Sequence, residues 1–249
     1  MRQLLVINPN TSASVSALLQ NHVQAAAGLH VQVRTVTARF GAPYIADEAS
    51  YAVAAHATLD AWAAALTAPQ QAPDAVLIGC FGDPGLLALR ESSPVPVTGL
   101  AEAAFIEAAR HGRFAIVTGG ERWGPMLARL AQALGHAPSL AGIHTVVPTG
   151  AELAADPAAA HSLLTQACRD AVRQLGAQTV ILGGAGLAGL AAGIQPGVSV
   201  PVIDSVTAGA HWALRNHAPP PQRKAPGFDM AWEQLSPELT ALGQVRSGA

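Results

Sequence analysis

The sequence predicts an α/β fold: two similar lobes with parallel four-stranded sheets, related by pseudo-twofold symmetry around a cleft. Three observations predict it. Short apolar runs alternate with longer stretches of helical periodicity, as in strands joined by crossover helices. The alternation restarts after about residue 112 in the same order. Half of the 249 residues are hydrophobic and only 12% are charged, so strands can be buried on both faces.

The elements follow in order. Leu4-Leu5-Val6-Ile7 reads as a buried strand. Pro9-Asn10-Thr11-Ser12 follows, with Thr11 or Ser12 placed to cap a helix carried by Val15, Leu18, Leu19, His22 and Val23. Val31 to Val36 is a second strand. A loop at Gly41-Ala42-Pro43-Tyr44 leads to an Ala-rich helix from Asp47 to Leu66, where Asp47 and Glu48 suit the helix dipole. Ala75 to Gly79 is a third strand, and Val95-Pro96-Val97 is a short fourth before a helix over Ala101 to His111. The restart gives a strand at Phe114 to Val117, a loop at Thr118-Gly119-Gly120 and a helix from Glu121 to Leu134. A strand at Ile143 to Val147, a helix over Pro157 to Leu175 and a strand at Thr179 to Gly183 come next. Val200 to Ile203 is the last strand, and Val206 to Asn216 is the last core helix.

Three correspondences mark the restart as a duplication. Val76 to Gly82 aligns with Val180 to Gly186, Val95-Pro96-Val97 with Val200-Pro201-Val202, and Leu4 to Ile7 with Phe114 to Val117. The expected organisation is a first lobe at 1–112, a second at 113–216 and a C-terminal arm at 217–249. Pro219-Pro220-Pro221 and Gly227 mark the arm, and Met230 to Leu242 could form a short helix in it.

Composition excludes several functions. Fourteen basic and sixteen acidic residues give a net charge of −2, which argues against nucleic acid as a partner. Cys80 and Cys168 form no disulfide framework and suit a reducing, cytoplasmic setting. After Met1-Arg2 the apolar run is too short for a signal peptide, and Val180 to Ile194 is too short for a membrane span. Nine scattered histidines with no H-E-x-x-H give no metal site, and the absence of G-x-G-x-x-G or a P-loop gives no reason to invoke NAD or ATP. Asp204 and Ser205 end the last strand, but without G-x-S-x-G they make no hydrolase triad. A small molecule is the expected partner, and the apolar composition suits a homo-oligomer.

The candidate chemistry centres on Cys80, at the carboxyl end of a buried strand within Gly79-Cys80-Phe81-Gly82-Asp83-Pro84-Gly85. Ligands of open α/β sheets bind outside the carboxyl ends of strands. The glycines let a ligand approach the backbone, and amides of the next helix would favour a thiolate. The alternative for Cys80 is an inert buried thiol; Cys168, among Leu164, Ala167 and Ala171, reads as core. Gly183-Gly184-Ala185-Gly186 is the counterpart of the Cys80 loop, and its amides could hold a developing enolate. Asn8 to Ser12 and Thr118-Gly119-Gly120 lie at equivalent strand ends and offer amides and hydroxyls, or ordinary helix caps.

Val6 to Ser12, Gly79 to Gly85 and Gly183 to Gly186 together resemble the hydantoin racemase family, which includes allantoin racemases and belongs to the aspartate/glutamate racemase superfamily. The resemblance spans roughly residues 3 to 216. It implies a cofactor-independent racemase or epimerase of a hydantoin or ureide, working through an enolate between two lobes. By resemblance Cys80 is one acid/base. Asn8, Thr11, Thr118 and Gly119 would hold polar groups of the substrate. Phe81, Gly82, Gly184 and Ala185 would contribute from the two glycine-rich loops, and Pro43 and Tyr44 would line the mouth. The family's second cysteine falls at position 184, where this chain has Gly184. A one-cysteine decarboxylase or isomerase using the same pocket, or a diverged ligand-binding protein, is therefore the alternative.

Overall fold

The computed structural model describes residues 1–67, 71–215, 227 and 232–244. The first sheet is formed by β1 (Arg2–Asn8), β2 (Val31–Thr37), β3 (Ala75–Ile78) and β4 (Val97–Gly99). The second is formed by β5 (Phe114–Gly119), β6 (Leu140–Val146), β7 (Thr179–Leu182) and β8 (Val202–Asp204). Both are all-parallel, in the orders β2-β1-β3-β4 and β6-β5-β7-β8, so the second lobe repeats the topology of the first.

Pleating sorts the side chains of each strand. Leu4, Val6 and Leu77 of the first sheet share one apolar cluster with Phe114, Ile116 and Ile181 of the second. Their neighbours point the other way. Leu5, Ile7, Val76 and Ile78 meet α2 (Glu48–Thr67) and α3 (Leu86–Ser92). Ala115, Val117, Val180 and Leu182 meet α6 (Gly150–Ala155), α7 (Pro157–Leu175) and α8 (Ala191–Ile194), with Cys168 fully buried among them.

The shared cluster lies between the sheets and is filled by α1 (Ala13–Ala27), α4 (Leu100–Ala109), α5 (Trp123–Ala133) and α9 (Ser205–Ala213). Here α4 follows the first sheet but packs on β5, β7 and β8, while α9 follows the second and packs on β3 and β4. The two helices also pack on each other. Gly209 of α9 has no side chain because Leu77 and Leu100 occupy its flank; a Cβ there would sit 2.7 Å from Leu100 Cδ2 and 3.1 Å from Leu77 Cδ1.

Several boundaries differ from the sequence reading. Val95-Pro96 and Val200-Pro201 precede their strands, because proline has no N–H to give to a ladder. Pro96 and Pro201 instead use their carbonyls, accepting from Val76 and Val180. The strand β6 begins at Leu140, three residues early, as a half-buried edge strand with no apolar run to announce it. The short helices α3 and α6 were not anticipated. Ser12, rather than Thr11, caps α1, and Asp204 caps α9. The proline stretch at 219–221 lies outside the described residues. The last helix, α10 (Pro237–Gln244), starts later than Met230 and packs on α2 of its own chain. Arg39 joins it there, pairing with buried Asp60 at 2.7 Å and with Glu238 at 3.0 Å. Burial works against the Asp60 charge, but hydrogen bonds from Arg39 and Ser236 and the Arg39 charge outweigh it and hold its pKa low. Among the described residues no helix is long and apolar enough to cross a membrane.

The interlobe cluster gives the first prediction. Gly209→Leu must push α9 off β3 and β4. It should lower the unfolding free energy by about 3 kcal/mol, read from denaturant midpoints. An unchanged midpoint would contradict the packing.

Candidate active site

A cavity of about 420 Å³ opens where the carboxyl ends of both sheets face each other. Cys80, Phe81, Pro43 and Tyr44 reach it from the first lobe, and Thr118, Gly119, Gly184 and Ala185 from the second. The structure thus gathers these eight sequence-derived candidates. It does not bring Asn8, Thr11 or Gly82 to the wall. Asn8 is fully buried, and its side-chain amide donates to Asn10 Oδ1, the Ser12 carbonyl and Ser16 Oγ; it builds the turn rather than meeting a ligand. The Thr11 backbone N–H donates to Ala42 O at 3.1 Å and ties that turn to the 38–47 segment. Gly82 lies beneath Trp123, where a Cβ would come within 2.5 Å of the indole, and its carbonyl accepts the Tyr51 hydroxyl at 2.8 Å.

Of the rest of the wall, Asn10 and Ser12 belong to the strand-end segment the sequence singles out, whereas Ser14, Val15, Leu18, Ile45, Trp123 and Ala155 escaped sequence reasoning. Asn10, Ser12 and Ser14 bring polar groups from the start of α1; Val15, Leu18, Ile45, Trp123 and Ala155 bring apolar ones. Trp123 and α6 carried no glycine-rich signature. One signal was available: Thr149 and Glu152 form a capping box that starts α6. Among the described residues no charged side chain lines the cavity, and no group of three His, Cys, Asp or Glu could hold a metal ion.

Cys80 closes the carboxyl end of β3 with 8% of its surface exposed. Its carbonyl accepts the N–H groups of Gly82 and Asp83, folding the loop into a tight turn. Asp83 takes a positive φ of 51° to complete it. From there its carboxylate reaches the N-terminus of α4, accepting Ala101 N at 2.9 Å and Glu102 N at 2.8 Å. Burial raises the Asp83 pKa to about 7, against the two amide bonds that favour its charged form. Burial also pushes the Cys80 thiol well above an ordinary cysteine, and the Asp83 charge pushes it further. The resting thiol is protonated.

Across the cavity, the Gly183 N–H donates to Val117 O and the Gly184 N–H to Ser205 Oγ. The amides of Ala185 and Gly186, opening a short 3-10 turn, remain for a ligand. Gly183 faces the Phe81 ring so closely that no side chain would fit. Gly184 has φ +149°, a conformation L residues rarely adopt, and a Cβ would crowd Leu187 Cγ at 3.3 Å.

This arrangement of two parallel-sheet lobes matches the fold of solved racemases. Allantoin racemase from Pseudomonas fluorescens superposes with a TM-score of 0.80 at 30% identity, covering 85% of this chain and 88% of that one. Allantoin racemase from Klebsiella pneumoniae gives 0.78 at 32% identity, covering 86% of each chain. A hydantoin racemase of Pseudomonas sp. strain NS671 is 30% identical over 212 residues, 85% of this chain and 84% of its own. The Asp/Glu/Hydantoin racemase family matches residues 4–213, and the chain belongs to it, as an isomerase of the racemase kind.

Two predictions test the wall. Carbamidomethylation of Cys80 should be slow at neutral pH and rise with pH beyond the range of a free cysteine, because only the thiolate reacts. Asp83→Asn removes the adjacent charge and should shift that profile to lower pH, read from alkylation rates by peptide mass spectrometry. A profile unmoved in the variant would show that Asp83 does not act on the thiol. Gly184→Cys should cost about 2 kcal/mol of stability, since cysteine must adopt the backbone of Gly184 or distort it; thermal unfolding would measure the loss.

Proposed function

We propose that this protein inverts the stereocentre of an uncharged cyclic ureide, such as a 5-substituted hydantoin, through an enolate, with Cys80 as one acid/base. One observation carries the reading: the Cys80 thiol stands at a cavity whose described lining holds hydroxyls, amides and apolar groups but no charged side chain. An amino acid would bring an ammonium and a carboxylate into that space, and each would require a compensating charge. A hydantoin brings only N–H and C=O groups, which hydroxyls and backbone amides can satisfy. The hydantoin racemase and the allantoin racemases among its relatives support the same class.

The chemistry follows from the ring. The C–H at the stereocentre is flanked by a carbonyl, so its loss gives a planar enolate whose charge rests on oxygen. Donors aimed at that oxygen stabilise the transition state, and the amides of Ala185 and Gly186 are available for it. Burial holds the Cys80 thiol protonated, so it is ready to give a proton to the enolate carbon and must lose that proton before it acts as a base.

The experiment follows the acidic C–H by proton NMR in D2O together with optical rotation, on single enantiomers of 5-substituted hydantoins and of allantoin. The wild type should lose rotation and incorporate deuterium. Cys80→Ala should slow inversion by about 10² to 10⁴-fold. Racemisation intact in Cys80→Ala would overturn the role of Cys80. No exchange, but release of carbon dioxide from a malonate with one enantiomer as product, would move the site to the decarboxylase reading that Gly184 allows.

A further inference from the structure

Inversion needs a proton on each face of the enolate, and position 184 carries no side chain to supply the second. Of the hydroxyls in the described wall, those of Ser12, Ser14, Thr118 and Tyr44, the Tyr44 phenol is the most acidic. Tyr44 lies at the cavity mouth, between β2 and α2. Its oxygen accepts the Gly150 N–H at 3.4 Å. A phenol oxygen has two acceptor positions and one proton. The Gly150 N–H takes one acceptor position, and among the described residues no hydrogen bond takes up the Tyr44 proton, so the O–H is left for the cavity. Gly150, which holds that oxygen, lies against the wall opposite Cys80: a Cβ on Gly186, two residues beyond Gly184, would meet Gly150 O at 2.5 Å.

We propose that Tyr44 is the second catalytic acid/base, transferring the proton on the face of the enolate opposite Cys80. The inference rests on the racemase reading above. In one direction Cys80 first gives its thiol proton to water; the thiolate then takes the carbon proton and the Tyr44 O–H gives its own to the other face. This leaves a thiol and a phenolate. In the other direction the Tyr44 phenolate takes the proton and the Cys80 thiol returns one; water resets either state. No net electron transfer occurs and one proton enters for each that leaves. Burial keeps Tyr44 protonated at rest, while the Gly150 N–H solvates the phenolate when it forms.

The test is Tyr44→Phe, which keeps the ring and removes the proton. Inversion should fall about 100-fold or more, a general acid/base loss. Deuterium exchange should persist, without inversion and within about threefold of wild type, for the enantiomer whose proton faces Cys80. Cys80→Ala should give the mirror pattern, with exchange surviving only in the other enantiomer. An unchanged thermal unfolding midpoint, together with the surviving exchange on the Cys80 side, guards against a folding defect in Tyr44→Phe. Equal loss of exchange in both enantiomers of Tyr44→Phe would mark a binding role and overturn the proposal, as would inversion at the wild-type rate. A wild type that exchanges no proton at all fails earlier, at the racemase reading, and takes the Tyr44 role with it.

Discussion

The Asp83 carboxylate joins the thiol-bearing turn to the helix that binds the two lobes together. In the second lobe, Asp204 at the end of β8 caps its own helix through the amides of Val206 and Thr207. The equivalent strand end in the first lobe is Gly99, and the equivalent amides, Ala101 and Glu102, are capped by Asp83 from the neighbouring loop. Gly99 must be glycine there, because a Cβ would overlap the Asp83 carboxylate. One exchange of residue types thus fixes the Cys80 turn, the start of α4 and a negative charge beside the thiol. The counterpart of Asp83 in the repeat is Leu187, which is apolar and crowds Gly184 instead.

The scaffold is therefore symmetric while its cavity is not. Strand order repeats between the lobes, and Gly79 and Gly183 make the same bond to the adjoining strand, to Ile7 and Val117. Beyond those glycines the loops diverge into a tight turn with a thiol on one side and an extended glycine with free amides on the other. Duplication supplied two equivalent strand ends, and side-chain substitution gave them unequal chemistry.

Sequence patterning was most informative where one physical rule acts alone. Four-residue apolar runs marked β1, β3, β5 and β7, since strands covered on both faces have no polar side to interrupt them. The edge strand β6 and the helices α3 and α6 were harder, because half-exposed or short segments lack a sustained period. At the site, strand-end position and the internal repeat pointed to the two glycine-rich loops, and the resemblance added Pro43 and Tyr44, which line the cavity. Asn8 was misplaced for an instructive reason: a buried amide that organises a turn has the same sequence appearance as one that meets a ligand. Trp123 reaches the cavity from α5 only because the lobes face each other, and no local pattern encodes that.

The placement of α4 and α9 constrains how a molecule can enter. Each helix is covalently continuous with one sheet and packed on the other, so the lobes are cross-braced like two boards sharing both battens. A wide clamshell motion would have to strip Gly209 from Leu77 and Leu100 and expose the largest apolar cluster to water. Entry and exit are left to the rim, where the Gly150 N–H at the start of α6 donates to the Tyr44 oxygen of the 38–47 segment. In such a frame the shape of the rim, not the angle between the lobes, sets which molecules fit.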